Sequence, residues 1–516
     1  MRGLLSVADR SGITTLARGL QSLGVELFAT DGTREHLAGD GVEVAPISAL
    51  TDFPPLVGGQ VKTYHPAIYA GILARRDREE HLAELVEHGI APIDLVVVNI
   101  KPFAPQVGAR IVPLHEAIEM IDVGGAALLT AAARNFAGVA AVAGPAHYRQ
   151  LIDEIRDRGS VSAEFRQQLA AEAYATVAAY HAEVAAYLQH VAGVRFPPRL
   201  TIVLEKLRDL RYGENPHQDA AFYRETTHRA GTIADADYLS GAAPSFNNVL
   251  DLDAAYRIVS DFAPRPTAVI VKQTNPVGLA SSTDLAQSYR RALECDPATA
   301  FGGIVGLNRV CDRETATEIA ANVYEAVVAP GFDEEALELL RARPGLEIAA
   351  VPSSATDGLR DYGIANLDFK RVGGGLLVET LDRIETDRSQ FQVVTRRKPT
   401  LDELTDLVFA WRAVRHVSSN AIVLARDGAA LGIGAGQANR LVAVELAVRR
   451  AGERARMSVM ASDAYFPFSD AIQLAAQAGV TAIIQPGGSA RDAMAIEAAD
   501  RHHMAMVFTG RRHFRH

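Results

Sequence analysis

The segment Val271-Lys272-Gln273-Thr274-Asn275-Pro276-Val277-Gly278 holds the residues best suited to chemistry. Three β-branched residues, Val269, Ile270 and Val271, lead into a lysine, and Asn275-Pro276 and Gly278 then break the run. That pattern predicts a buried strand delivering Lys272 to its carboxyl end, followed by a tight turn. In open α/β sheets, ligands sit in the crevice beyond the carboxyl ends of the strands. A lysine there is either a catalytic or anion-binding group or a solvated strand end. A second segment, Leu210-Arg211-Tyr212-Gly213-Glu214-Asn215-Pro216-His217-Gln218, crowds planar hydrogen-bonding groups around an Asn-Pro turn. It suits a carboxamide or a phosphate, and it equally suits a polar surface. Phe246-Asn247-Asn248 is a weaker signal of the same kind. Gly432-Ile433-Gly434-Ala435-Gly436-Gln437 reads as a glycine-rich turn, fit to cradle phosphate or to pack as a hairpin close to another backbone.

Other chemistries find no support. Arg371-Val372-Gly373-Gly374-Gly375-Leu376 lacks the dinucleotide spacing, which argues against nicotinamide binding. There is no Cys-x-x-Cys, no His-Glu-x-x-His and no carboxylate loop, so no protein-ligated metal is expected. A Gly-x-Ser-x-Gly nucleophile elbow is also missing. The formal net charge of -10 argues against broad nucleic-acid binding, while a local cluster of Arg and Lys still suits small anions.

The elements that must carry these residues fill more than one core, since 516 residues predict two to four domains. Strands at Leu4–Val7, Val25–Ala29, Asp94–Ile100 and Ala140–Ala143 alternate with helical stretches, the rhythm of a parallel sheet covered on both faces. The turn Thr30-Asp31-Gly32-Thr33 places a helix N-terminus where phosphate could bind. Residues 150–191 read as helical, and Arg195-Phe196-Pro197-Pro198 as the linker, with a boundary at 192–200. A further α/β unit runs from a helix at 401–415, carrying Trp411, through a strand at 421–425 and a helix at 438–450 to a strand at 505–508. The tail with Arg511, Arg512, His513, Arg515 and His516 is either frayed or docked. Two cysteines, Cys295 and Cys311, make no disulfide framework and point to a reducing cytoplasm. Neither a signal peptide nor a membrane-spanning run is apparent.

Several long, collinear segments, VKTYHPAIYAGIL, LVVVNIKPF, IDVGG, LRYGENPHQ, AFGGIVGLNR, SNAIVLARDG, GIGAGQ, SDAYFPFSDAI, IIQPGG and MVFTGRRHFRH, carry a resemblance from end to end. The chain resembles the bifunctional purine-biosynthesis enzymes that join aminoimidazole carboxamide ribonucleotide (AICAR) formyltransferase to inosine monophosphate (IMP) cyclohydrolase. The resemblance implies an α/β protein, with a methylglyoxal-synthase-like N-terminal parallel-sheet domain over residues 1–195. Two cytidine-deaminase-like α/β/α subdomains without zinc would follow over 200–370 and 371–516. It also implies transfer of a formyl group from 10-formyltetrahydrofolate, as co-substrate, to the amine of AICAR or a close carboxamide analogue. Ring closure with loss of water to an IMP-type nucleotide would follow. A cytoplasmic homodimer with a shared active site and a structural potassium ion complete the implied picture, without nucleic-acid or membrane partners.

Carried over by position, Lys272 matches the formyltransferase lysine and Asn420 the asparagine that holds the formyl oxygen. Arg211, Tyr212, Asn248, Asp296 and Arg440 match substrate-binding positions, and Phe468 with Asp470 lies in the folate segment. In the cyclohydrolase part Lys62 and Asp122 are kept, with Arg10, Thr33 and Thr63 as substrate-binding residues. Departures fall in both sites. Gln273 stands where the family has a histidine, and glutamine can hydrogen-bond but not shuttle a proton. Lys101 replaces a tyrosine, Arg134 a lysine, Arg10 a lysine, Gln60 an arginine and Ala8 a serine. An arginine at 134 keeps the charge but cannot serve as a base. These changes suggest a diverged paralogue acting on a purine-analogue precursor. The alternatives are retention of one activity only, or an inactive nucleotide- or folate-binding regulator.

Overall fold

The computed structural model describes residues 1–54, 56–108, 112–226, 231–241, 244–352, 364, 366–382 and 388–516. The chain forms two compact units, one made chiefly of Met1–Val203 and the other of most of the remainder.

In the first unit, strands β1 (Arg2–Val7), β2 (Glu26–Ala29), β3 (Ala45–Pro46), β4 (Leu95–Asn99) and β5 (Ala140–Val142) form one sheet in the order β3-β2-β1-β4-β5. Every pairing is parallel. Alternate residues of a strand face opposite sides, and two cores follow from that. Leu4, Val96, Val98 and Ala141 pack with the helices Pro66–Leu73, Val123–Arg134 and Ala163–Val191. Leu5, Val7, Val97 and Val142 pack with Ile13–Ser22 and Tyr148–Arg158. The apolar run Leu95–Val98 is almost wholly buried, as a strand covered on both faces must be. The long helix Ala163–Val191 starts at Ser162, whose hydroxyl accepts from the N–H of Phe165, and it ends ahead of the two prolines.

The second unit opens on a two-stranded pair, β6 (Leu204–Leu210) and β7 (Ala220–Glu225). Then come β8 (Asp237–Ser240), β9 (Thr267–Lys272), β10 (Asn275–Ser281), β11 (Gly303–Leu307), β12 (Tyr324–Ala329) and β13 (Glu347–Ala350). Gly373-Gly374 of the glycine-rich run forms the turn of a hairpin, β14 (Leu367–Val372) with β15 (Gly375–Thr380). Last come β16 (Gln392–Val393), β17 (Ile422–Arg426), β18 (Ala429–Gly434), β19 (Val459–Ser462), β20 (Ala482–Gln485) and β21 (Ala505–Phe508). One twelve-stranded sheet results, in the order β16-β21-β20-β19-β17-β18-β10-β9-β11-β12-β13-β8.

That order is a pattern stated twice. In each half a hairpin (β9-β10, β17-β18) meets a third strand antiparallel to its first member, two parallel strands follow, and the strand just before the hairpin in sequence (β8, β16) closes the far edge antiparallel. The halves join where β10 meets β18, Ala280 opposite Ala429.

Two sequence expectations are corrected here. Lys272 does end a buried strand, but β9 runs antiparallel to both neighbours. The two-residue turn Gln273-Thr274 sends the chain straight back, so no crevice of a parallel sheet lies beyond it. Gly432 and Gly434 lie inside β18 rather than in a turn. A Cβ on Gly432 would fall 2.1 Å from the carbonyl oxygen of Ala447, and one on Gly434 would fall 1.9 Å from that of Ala443. These glycines let the helix Arg440–Ala451 press directly on the strand.

Candidate active sites

Lys272 is partly buried, and its ammonium donates to the carbonyl oxygens of Phe301 (2.7 Å) and Thr299 (3.5 Å). An ammonium has three protons, so one remains for a ligand. Gln273 is exposed and, like Thr274, has positive φ (52° and 58°). Both backbone N–H groups donate to the carboxylate of Asp251, at 3.2 and 2.5 Å. Asn275 ties this hairpin to a second loop: its Nδ2 donates to the carbonyl of Gln273 (3.0 Å) and its Oδ1 accepts from the N–H of Ser418 (2.8 Å).

Asn420 stands at the end of that loop, just before β17. Its Oδ1 accepts from Nη2 of Arg440 (2.6 Å) and its Nδ2 donates to the carbonyl of Gln437 (2.7 Å). Arg440 is 7% exposed and also holds Ser462 Oγ (2.9 Å) and Asp463 Oδ1 (2.7 Å). Arg440, expected to bind substrate, thus touches Asn420 directly and holds it against Ser462 and Asp463. Ser419 donates to the other oxygen of Asp463 at 2.5 Å. The basic tail docks here: the N–H of Ser419 donates to the carbonyl of Arg515 (2.9 Å), and the N–H of Arg515 to Ser419 Oγ (3.1 Å). His513 adds a 2.5 Å contact to Asp382.

Asp296, too, has partners within the chain. It caps the short helix Pro297–Ala300 through Thr299 and lies 3.4 Å from Arg450. Asn248 is buried and interacts with Glu347, whose Oε2 lies enclosed without a hydrogen-bond partner. Arg211 approaches Glu347 at 3.8 Å, followed by half-buried Tyr212. Burial pushes the Glu347 carboxyl up, against the pull of Asn248 and Arg211. Glu347 went unnoticed in the sequence because a single glutamate opening a strand carries no local signal. Phe468 is exposed with the Arg491 guanidinium 4.6 Å over its ring, and Asp470 opens the helix Asp470–Gln477.

In the first unit the grouping centres on the helix Val123–Arg134. Asp122 caps it, accepting from the N–H of Gly125 (2.8 Å) and, more weakly, from that of Lys101 (3.4 Å). Thr63 is buried, its hydroxyl 3.0 Å from where a Cβ on Gly124 would lie. Next to it Tyr64 donates to the carbonyl of Val123 (2.9 Å), and burial followed by the charge of Asp122 pushes its phenol up. Half-buried Lys62 directly precedes this pair. A neutral phenol beside Asp122 is a donor that the sequence reading missed. Arg134 is not brought to this group: it ends the helix that Asp122 caps, about 18 Å away at 1.5 Å per residue. Thr33 is 2% exposed and its hydroxyl accepts from the N–H of Val7, locking β1 to the helix Asp31–Gly39. Exposed Arg10 lies beside Gly32 at the start of that helix.

Both cysteines are buried with thiols pushed up to about 12, chiefly by burial, so neither offers a thiolate at neutral pH. Among the described residues no three His, Cys, Asp or Glu side chains gather to hold a metal ion, and no helix is long and apolar enough to cross a membrane.

Two family models match the chain. One described as "MGS-like domain" covers residues 12–127, and one described as "AICARFT/IMPCHase bienzyme" covers residues 132–450. Curated relatives match along their full lengths, each named "Bifunctional purine biosynthesis protein PurH". That of Anoxybacillus flavithermus is 46% identical over 515 residues, 100% of this chain and 99% of its own. That of Bacillus subtilis is 44% identical with the same coverage. That of Cereibacter sphaeroides is 46% identical over 528 residues, covering 100% of this chain and 98% of its own.

Proposed function

The chain belongs to the AICARFT/IMPCHase bienzyme family, and from that premise we infer that it performs two consecutive steps of purine synthesis. It transfers a formyl group from 10-formyltetrahydrofolate to the exocyclic amine of AICAR. It also closes the formylated ribonucleotide to IMP with loss of water.

The residue roles are our assignment. Formyl transfer begins as the amine nitrogen of AICAR attacks the formyl carbon, placing negative charge on the formyl oxygen. The free N–H of Asn420 and the third proton of Lys272 are the donors suited to that oxyanion. Collapse breaks the bond to the folate nitrogen, which takes up a proton as the amine loses one. The observation that carries this pairing is Asn275, which bonds both the turn after Lys272 and the loop before Asn420. For ring closure, Lys62, Thr63, Tyr64, Lys101 and Asp122 are the groups that would orient the carboxamide nitrogen against the formyl carbon. Arg134 stands apart from them in this assignment. The homodimer with a shared site, the structural potassium and the cytoplasmic location belong to the same proposal.

Separate assays test the assignment. Lys272→Ala should lose formyl transfer by at least about 10²-fold while ring closure of synthetic formyl-AICAR continues; full transfer in that variant overturns it. A narrower reading, a paralogue acting on an AICAR-like carboxamide, is favoured by Gln273 and Lys101 standing in the two sites. Turnover with AICAR equal to that of the relatives would remove it.

A further inference from the structure

The second unit contains one clamp twice. In each half, the sixth residue of the helix preceding the hairpin is an aspartate, Asp251 in Phe246–Ser260 and Asp406 in Leu401–Val414. Asp406 accepts from the N–H groups of Asp427 (2.9 Å) and Gly428 (2.8 Å). Asp251 accepts from those of Gln273 (3.2 Å) and Thr274 (2.5 Å). All four turn residues have positive φ: 53° and 72° for Asp427 and Gly428, 52° and 58° for Gln273 and Thr274. The cations just before the turns correspond as well. Arg426 donates to the carbonyl of Arg456 (2.6 Å) as Lys272 does to that of Phe301.

The two turns differ in their residues. Asp-Gly is a favoured pair where both central residues need positive φ, whereas Gln-Thr is not, and a β-branched residue there is an outlier. The same turn is therefore built from compliant residues in one half and from resistant ones in the half that carries Lys272. Disfavoured backbone persists only where its surroundings over-determine it.

We propose that Asp251 is a positioning residue for formyl transfer: its carboxylate holds the Gln273-Thr274 turn in a conformation those residues resist, and so sets where Lys272 and Gln273 point. The proposal rests on the assignment of Lys272 made above.

Both activities are measured in the full chain carrying Asp251→Asn, Thr274→Gly, the two together, Asp406→Asn, or Lys272→Ala. Asp251→Asn should lower kcat of formyl transfer at least about tenfold, the scale of a misplaced catalytic group, with KM for both substrates and the rate of ring closure unchanged. Adding Thr274→Gly should restore most of that kcat, because glycine takes positive φ freely. Thr274→Gly alone should raise the thermal midpoint and leave formyl transfer unchanged, while Asp406→Asn should lower the midpoint and leave kcat unchanged. An undiminished kcat in Asp251→Asn, or a loss that Thr274→Gly does not recover, overturns the proposal. If Asp251→Asn does not fold, Thr274→Gly in the intact chain decides, and a lowered midpoint overturns it. Full activity in Lys272→Ala overturns the underlying assignment instead, whereas activity lost there but kept in Asp251→Asn removes this inference alone.

Discussion

Arg440 donates from Nη2 to Oδ1 of Asn420 at 2.6 Å, and that bond decides which way the amide of Asn420 faces. A guanidinium only donates, so the amide oxygen must face it and the nitrogen must point away. The other arm of the fork holds Ser462 and Asp463. Lysine brings a point charge without a fork. Arg440→Lys should therefore lower formyl transfer by roughly 10²-fold and spare ring closure. Parallel assays check this, and equal losses in both would indicate general unfolding instead.

Gln273 can be asked directly what its amide withholds. Histidine tolerates positive φ better than most residues, so Gln273→His should keep the turn. General acid–base catalysis typically contributes ~10²–10⁴-fold. Formyl transfer should rise and acquire a pH dependence near neutrality that the parent chain lacks. Rate–pH profiles of both proteins decide the matter, and coincident profiles would deny the residue any proton-transfer role.

Glu347 links Arg211 to buried Asn248. An amide there no longer balances the guanidinium, and a hydrogen bond to a charged group is worth about 1.5–3 kcal/mol. Glu347→Gln should raise KM for the ribonucleotide roughly tenfold with a smaller change in kcat. Steady-state kinetics at saturating folate measure both.

Stability in acid should follow Asp261. Burial pushes its carboxyl up, but the hydrogen bond and charge of His416, together with Arg415, outweigh burial and hold it at about 2. A carboxyl depressed in the folded state stabilises above its unfolded value near 4 and loses that contribution as pH falls towards 2. Burial holds the His416 imidazole below its ordinary value, so at pH 7 that ring supports the carboxylate by its hydrogen bond rather than its charge, a contribution of about 1.5 kcal/mol. Asp261→Asn should destabilise the second unit by at least that much at pH 7, and the gap to the parent should narrow at pH 3. Urea unfolding at the two pH values tests it.

Runs and punctuation made much of the fold legible. Asp94–Ile100 read as a strand buried on both faces because its apolar run leaves no wet face; the strand spans Leu95–Asn99, with Leu95–Val98 buried and Asp94 and Asn99 half-buried. The strand before Lys272 was equally plain, since β-branching acts locally, but the break expected at Asn275-Pro276 and Gly278 falls instead on Gln273-Thr274, and those residues lie inside β10. The direction of the strand before Lys272 was not plain, because the antiparallel pairing of β9 depends on residues far away in sequence. Asp251 was invisible for the same reason, its partners lying 22 and 23 positions on. Arg134 was carried over with Asp122 through the resemblance, and the length of the helix between them sets the two apart.

The glycines along β10 and β18 bear on how substrate gets in. A Cβ on Gly278 would lie 1.9 Å from the carbonyl oxygen of Ala292, matching the close approaches at Gly432 and Gly434 across the join. With helix backbone seated on both central strands, the middle of the sheet has no slack to act as a hinge. Entry and exit of a pterin must then be managed by loop movement, and crosslinking the halves through their rims should leave turnover intact.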